Sequence, residues 1–120
     1  MKKLFFLSFI LFTIHFVTAQ EIQWQKTIGG NDYDILKVVH QTADLGYILG
    51  GYSRSVLSGN KTEGTIGNTG KYDIWIVKTD SVGTIQWENT IGGNEYDRLF
   101  AIQQTTDGGY ILGTRRQIHK

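Results

Sequence analysis

Residues 22–50 recur without a gap as residues 85–113, 63 positions further along, and 19 of the 29 aligned positions are identical. The shared strings are Ile-Gln-Trp, Thr-Ile-Gly-Gly-Asn, Tyr-Asp, Gln-Thr and Gly-Tyr-Ile-Leu-Gly. Likeness at that level means one structural unit written twice, so any fold for this chain must give both tracts equivalent surroundings.

Inside each tract the apolar residues alternate. Ile22, Trp24 and Ile28, and their counterparts Ile85, Trp87 and Ile91, follow the period of a half-buried strand. Both segments run into Gly-Gly-Asn, a turn. Asp44-Leu45-Gly46 and Asp107-Gly108-Gly109 mark tight reversals, because Asp and Gly tolerate the dihedral angles of hairpin turns. Between the copies, Tyr72–Thr79 is nearly continuous in β-branched and aromatic residues, as expected of a central strand covered on both faces. The predicted strands are Glu21–Ile28, Ile35–Gln41, Tyr47–Ser53, Tyr72–Thr79, Thr84–Ile91, Arg98–Gln104 and Tyr110–Thr114. No segment has the pattern of an amphipathic helix. The glycines, serines and threonines of Arg54–Lys71 predict a long surface loop. The fold class that follows is all-β, an antiparallel meander with about four strands per period, the content of a propeller blade.

Residues 1–19 carry the marks of an export signal. Lys2 and Lys3 precede an apolar run, Leu4–Val17, and Val17-Thr18-Ala19 offers residues suited to cleavage. The run is short for a bilayer span, which takes about 18 residues or more, so a stable membrane anchor is not expected. Without Lys2 and Lys3 the balance is 10 basic against 11 acidic residues. A chain so near neutrality has no electrostatic case for nucleic acid. It also lacks cysteine, which removes disulfides and thiolate metal sites.

The strings Tyr72-Asp73-Ile74-Trp75-Ile76-Val77-Lys78, Thr90-Ile91-Gly92-Gly93-Asn94-Glu95-Tyr96-Asp97 and Gln103–Gly113 resemble the tandem repeats of large secreted β-propeller-like proteins of the Bacteroidetes lineage. The resemblance covers nearly all of residues 22–113 and implies an exported protein of many such repeats, often closed by a sorting domain for type IX secretion. On that reading residues 20–113 hold about one and a half blades, residues 114–120 are a divergent tail, and further blades belong to a longer parent chain, since a ring takes roughly four to eight.

Each candidate for chemistry has a plainer competitor. Trp24 and Trp87 could stack on sugars, but their place in an alternating strand predicts core packing. Asp34, Asp73 and Asp97 each follow a tyrosine. Calcium takes about six to eight oxygens, and the spacing here fits carboxylates that accept backbone N–H groups at turns. Thr42–Gly46 and Thr105–Gly109 resemble the Asp-box hairpins of sialidase-type propellers, where the box is a structural turn. His40 aligns with Gln103, so nothing demands an imidazole there. No catalytic residue, metal or cofactor is predicted, and no ligand-binding residue is singled out. The expected role is a secreted or cell-surface scaffold for recognition or adhesion, not an enzyme, with an extracellular glycan or protein as partner and the 54–71 loop as the contact. The alternative is the propeller region of a secreted hydrolase acting on polysaccharide.

Overall fold

A computed structural model of the chain describes residues 19–67 and 69–117. The predicted signal therefore lies, Ala19 apart, outside the described residues. Six strands occur among them and no helix: β1 (Asp34–Gln41), β2 (Tyr47–Ser53), β3 (Asp73–Thr79), β4 (Ile85–Ile91), β5 (Tyr96–Gln104) and β6 (Tyr110–Gln117). Strands β1 to β4 form one antiparallel sheet in chain order, and β5 and β6 form a second, two-stranded sheet. All seven residues of β3 are buried, as its unbroken apolar pattern predicts.

The duplication is visible in the backbone. β1–β2 and β5–β6 are equivalent hairpins, each with a register shift at the same place, between Leu36 and Val38 and between Leu99 and Ala101. Both turns use the same chemistry. Asp44 accepts bonds from the Thr42 hydroxyl and the Gly46 N–H, and Asp107 accepts them from the Thr105 hydroxyl and the Gly109 N–H. The four-residue loop closes identically, with Leu45 N–H to Thr42 C=O at 2.9 Å and Gly108 N–H to Thr105 C=O at 3.0 Å.

The core lies between the two sheets. Ile48, Ile74 and Ile76 on one face of the first sheet meet Leu99 and Ile102 of the second, with Leu112 and Tyr110 packed at the side. In the repeat, Leu99, Ile102 and Leu112 correspond to Leu36, Val39 and Leu49. The front face of the second hairpin thus sits on the rear face of the first sheet. Leu36 and Val39, the same positions one repeat earlier, are 59% and 52% exposed, because no sheet among the described residues lies in front of them.

The predicted first strand, Glu21–Ile28, does not form. Its twin β4 is a strand because β3 supplies a hydrogen-bonded neighbour. No equivalent of β3 flanks residues 21–28 among the described residues, and an isolated strand has nowhere to send its backbone bonds. The side-chain placement is nevertheless that of the repeat: Trp24 meets Tyr47 edge-on at 5.7 Å, and Trp87 meets Tyr110 edge-on at 5.8 Å. Neither indole is a core residue, at 38% and 37% exposed, so the core assignment fails for both and holds for Trp75. The second return strand also runs further than expected, to Gln117.

The 54–71 loop is less superficial than its composition suggests. Ser55 and Lys61 are buried, and Ser58 bridges Lys61. Four successive N–H groups of the Gly-Gly-Asn turn, from Gly29 to Asp32, donate to Asn60 (3.2 Å), Asp34 (2.7 Å), the Ser58 hydroxyl (3.0 Å) and the Ser55 hydroxyl (2.9 Å). Asp34 and Asp73 do accept backbone N–H groups, as their position predicts.

Leu45 has φ of 67°, whereas the matching residue of the second turn is Gly108 at 85°. A bulky side chain in that region costs about 1–2 kcal/mol, and Leu45 is exposed, with little burial to offset it. Leu45→Gly should therefore raise unfolding free energy by about 1 kcal/mol and Gly108→Leu should lower it by about the same; urea unfolding of both variants measures this. A second expectation concerns acid. The Thr42 hydroxyl, Lys78 and the Gly46 N–H hold the Asp44 carboxyl down to about 2 from its ordinary 3.8. The stabilisation is complete above pH 3.8 and disappears as pH falls through about 2. Asp44→Asn should flatten that limb of the stability profile.

Candidate functional site

Strand ends bring a layer of tyrosines and cations to one rim of the two sheets. Tyr33 precedes β1, Tyr52 is the penultimate residue of β2, Tyr72 precedes β3 and Tyr96 opens β5. The two that precede strands are held by backbone bonds, Arg54 N–H donating to Tyr33 C=O at 2.9 Å and Asp97 N–H to Tyr72 C=O at 2.8 Å. The rings touch in series, Tyr52 to Tyr72 edge-on at 5.2 Å and Tyr72 to Tyr96 tilted at 5.9 Å.

Cations lie over these rings. Arg54 stands 4.7 Å from the Tyr33 centroid and 5.5 Å from that of Tyr72, while Lys71 stands 4.4 Å from that of Tyr96. The arrangement repeats with the sequence. Arg54 pairs with Asp32 at 2.9 Å, and Lys71 pairs with Glu95 at 3.4 Å; Asp32 and Glu95 are equivalent positions, as are Tyr33 and Tyr96. The Arg54 guanidinium holds the Asp32 carboxyl below its usual range.

Arg98 is the exception. Its guanidinium lies 5.6, 5.9 and 6.0 Å from the rings of Tyr52, Tyr72 and Tyr96. It forms no salt bridge among the described residues, and its buried Nε has no hydrogen-bond partner there. Across the hairpin it stands directly opposite Arg115, and like charges in that position destabilise a sheet. One repeat earlier the position is Ile35. Arg98 thus differs from the apolar residue of the other copy, faces another cation and lies over three tyrosine rings.

Of the residues weighed from sequence, the tyrosines of the Tyr-Asp pairs enter this layer, as do Arg54 and Lys71 at the two ends of the loop. Trp24 and Trp87 do not, and neither does His40. Among the described residues no group of three or more histidine or acidic residues is placed to hold a metal. A cleft of ≈ 190 Å³ lies on the front of the first sheet, lined by Leu36, Leu49, Trp75 and Val77 with Ile28 at its edge. Its Leu36 and Leu49 correspond to Leu99 and Leu112, which the second repeat uses for packing. The Tyr-Asp periodicity is a usable signal for the rim; the placement of Arg98 is not, because it differs from its copy, Ile35.

The chain matches no protein-family model, no curated protein and no solved structure.

If Arg98 is held at a cost to the sheet, its replacement by the repeat's own residue should remove that cost. Arg98→Ile is expected to raise unfolding free energy by about 0.2–1 kcal/mol, measured by urea titration, with the larger effect at low salt.

Proposed function

We propose that this chain is part of an exported, non-enzymatic recognition or adhesion scaffold of the β-propeller type, and that it takes an acidic glycan at its tyrosine rim. The observation that carries the reading is Arg98, a cation with no carboxylate partner among the described residues, enclosed by ring faces. Uronate-type sugars bring both features such a site accommodates, a carboxylate for the guanidinium and a C–H face for the tyrosines. The propeller reading draws on the front-to-rear stacking of successive repeats, which is the relation neighbouring blades have, and on four strands per period. Export rests on the amino-terminal charge and apolar pattern. The loop, on this reading, acts through Arg54 and Lys71 at its base, since much of its middle is engaged with the Gly-Gly-Asn turn.

Titration calorimetry with a uronic-acid oligosaccharide and a neutral glucan of equal length tests it. The acidic oligomer should bind, binding should weaken as salt is raised, and Arg98→Ile should reduce affinity about tenfold while leaving the fold intact. Equal binding of both sugars, or an unchanged affinity in Arg98→Ile, would reject the assignment.

A further inference from the structure

The two hairpins are copies, yet only the first is covered along its outer edge. β2 is bonded to β3 from Tyr47↔Thr79 to Ser53↔Asp73, whereas β6 pairs with β5 alone among the described residues.

We propose that the outer edge of β6, together with Asp107, is a docking site for one extended segment of β3-like chemistry, antiparallel to β6. That segment reads acid, apolar, Trp, apolar, apolar, Lys, Thr. The first hairpin supplies the template. There Lys78 donates to both Asp44 oxygens at 2.9 and 3.1 Å and so fixes the end of β3 on the turn. Asp107 has the same turn geometry, with the Gly109 N–H at 3.1 Å, and no ion pair to a described residue. The glycines agree. A Cβ on Gly46 would collide with the Thr79 carbonyl and, at 2.6 Å, with Lys78 Nζ; one on Gly109 would meet only its own turn, at 3.1 and 3.3 Å. The second hairpin therefore keeps open the space that a strand carbonyl and a lysine fill in the first.

At the far end of the edge Arg116 stands where Ser53 faces Asp73, but it is already paired with Asp97 at 3.0 Å, so the charge that selects an incoming strand is that of Asp107. Thr114 replaces Gly51 without blocking the edge, because the carbonyl that excludes a Cβ at Gly51 belongs to Ile35, on the β1 side. β3 of a second copy is not the occupant, since it is already bonded along both edges and buried on both faces. The partner is a segment held outside any sheet, joining by strand addition, in which backbone bonds give affinity and side-chain register gives specificity. The site stands whether or not the tyrosine rim takes a glycan.

A synthetic peptide with the sequence Lys71–Asp80 tests this, titrated into the full chain while amide exchange is followed. The peptide should bind, a scrambled version should not, and protection should rise along Tyr110–Gln117. A peptide with its Lys78 changed to Glu should bind about tenfold more weakly, and the variant Asp107→Lys should restore it. Gly109→Val, which fills the strand's space without requiring a positive φ, should abolish binding with the chain still folded. Equal binding of the scrambled peptide, no binding, protection outside β6, or failure of the charge exchange to restore affinity would each overturn the proposal. So would self-association of the chain that Gly109→Val disperses in the absence of peptide.

Discussion

The close approach of one sheet face to the next is what the rest of the structure depends on. A side chain at Gly50 would occupy the space of the Leu99 methyl group, and Val38 stands at 3.3 Å on the other side. With that gap left open, Leu99 reaches the Ile48–Ile74–Ile76 surface and becomes fully buried. A two-stranded hairpin has too little apolar area to hold itself in water. The second hairpin is ordered by the first sheet, and the rim that contains Arg98 exists only because β5 is brought beside Tyr52 and Tyr72.

Polar groups do a second kind of work, fixing segments that have no ladder of their own. Lys61 is buried under the loop, over the Trp75 ring at 5.6 Å, and bonds to Thr90. Burial lowers its pKa, while Glu88, Asp73 and Glu63 act in the opposite sense. Glu88 in turn accepts bonds from Trp75 and from Thr62. A loop rich in serine and glycine is thereby tied to the front of β3 and β4 and covers Trp75 on a face that no second sheet among the described residues covers.

The strands and turns were legible because their signals are local. Alternation around Trp87, the unbroken run of β3 and the Asp-Gly reversals act over a few residues, and the structure follows them. What failed depends on neighbours. Residues 21–28 carry the same pattern as β4 but lack a strand to bond with, so identical local preference gives a different outcome. Trp24 and Trp87 alternate as core residues do, yet the faces they point to are only partly covered. At the rim, Tyr33, Tyr72 and Tyr96 repeat and could be noticed. Arg98 could not, because its surroundings are set by the lack of a salt bridge among the described residues and by rings from β2, from the residue before β3 and from its own strand, none of which is encoded by spacing.

The front-to-rear joint between the sheets has a direction. Its two surfaces are different, Leu99 and Ile102 on one side and Ile48, Ile74 and Ile76 on the other, and the chain presents a second example of each kind at its opposite limits, around Leu36 and Val39 and around Ile111. Contact between such unlike surfaces cannot end with a symmetric pair, since every addition regenerates the surface just consumed. Any further repeat joined through this geometry would extend the array in one direction, and the array would close only if the rotation per step divided a full circle.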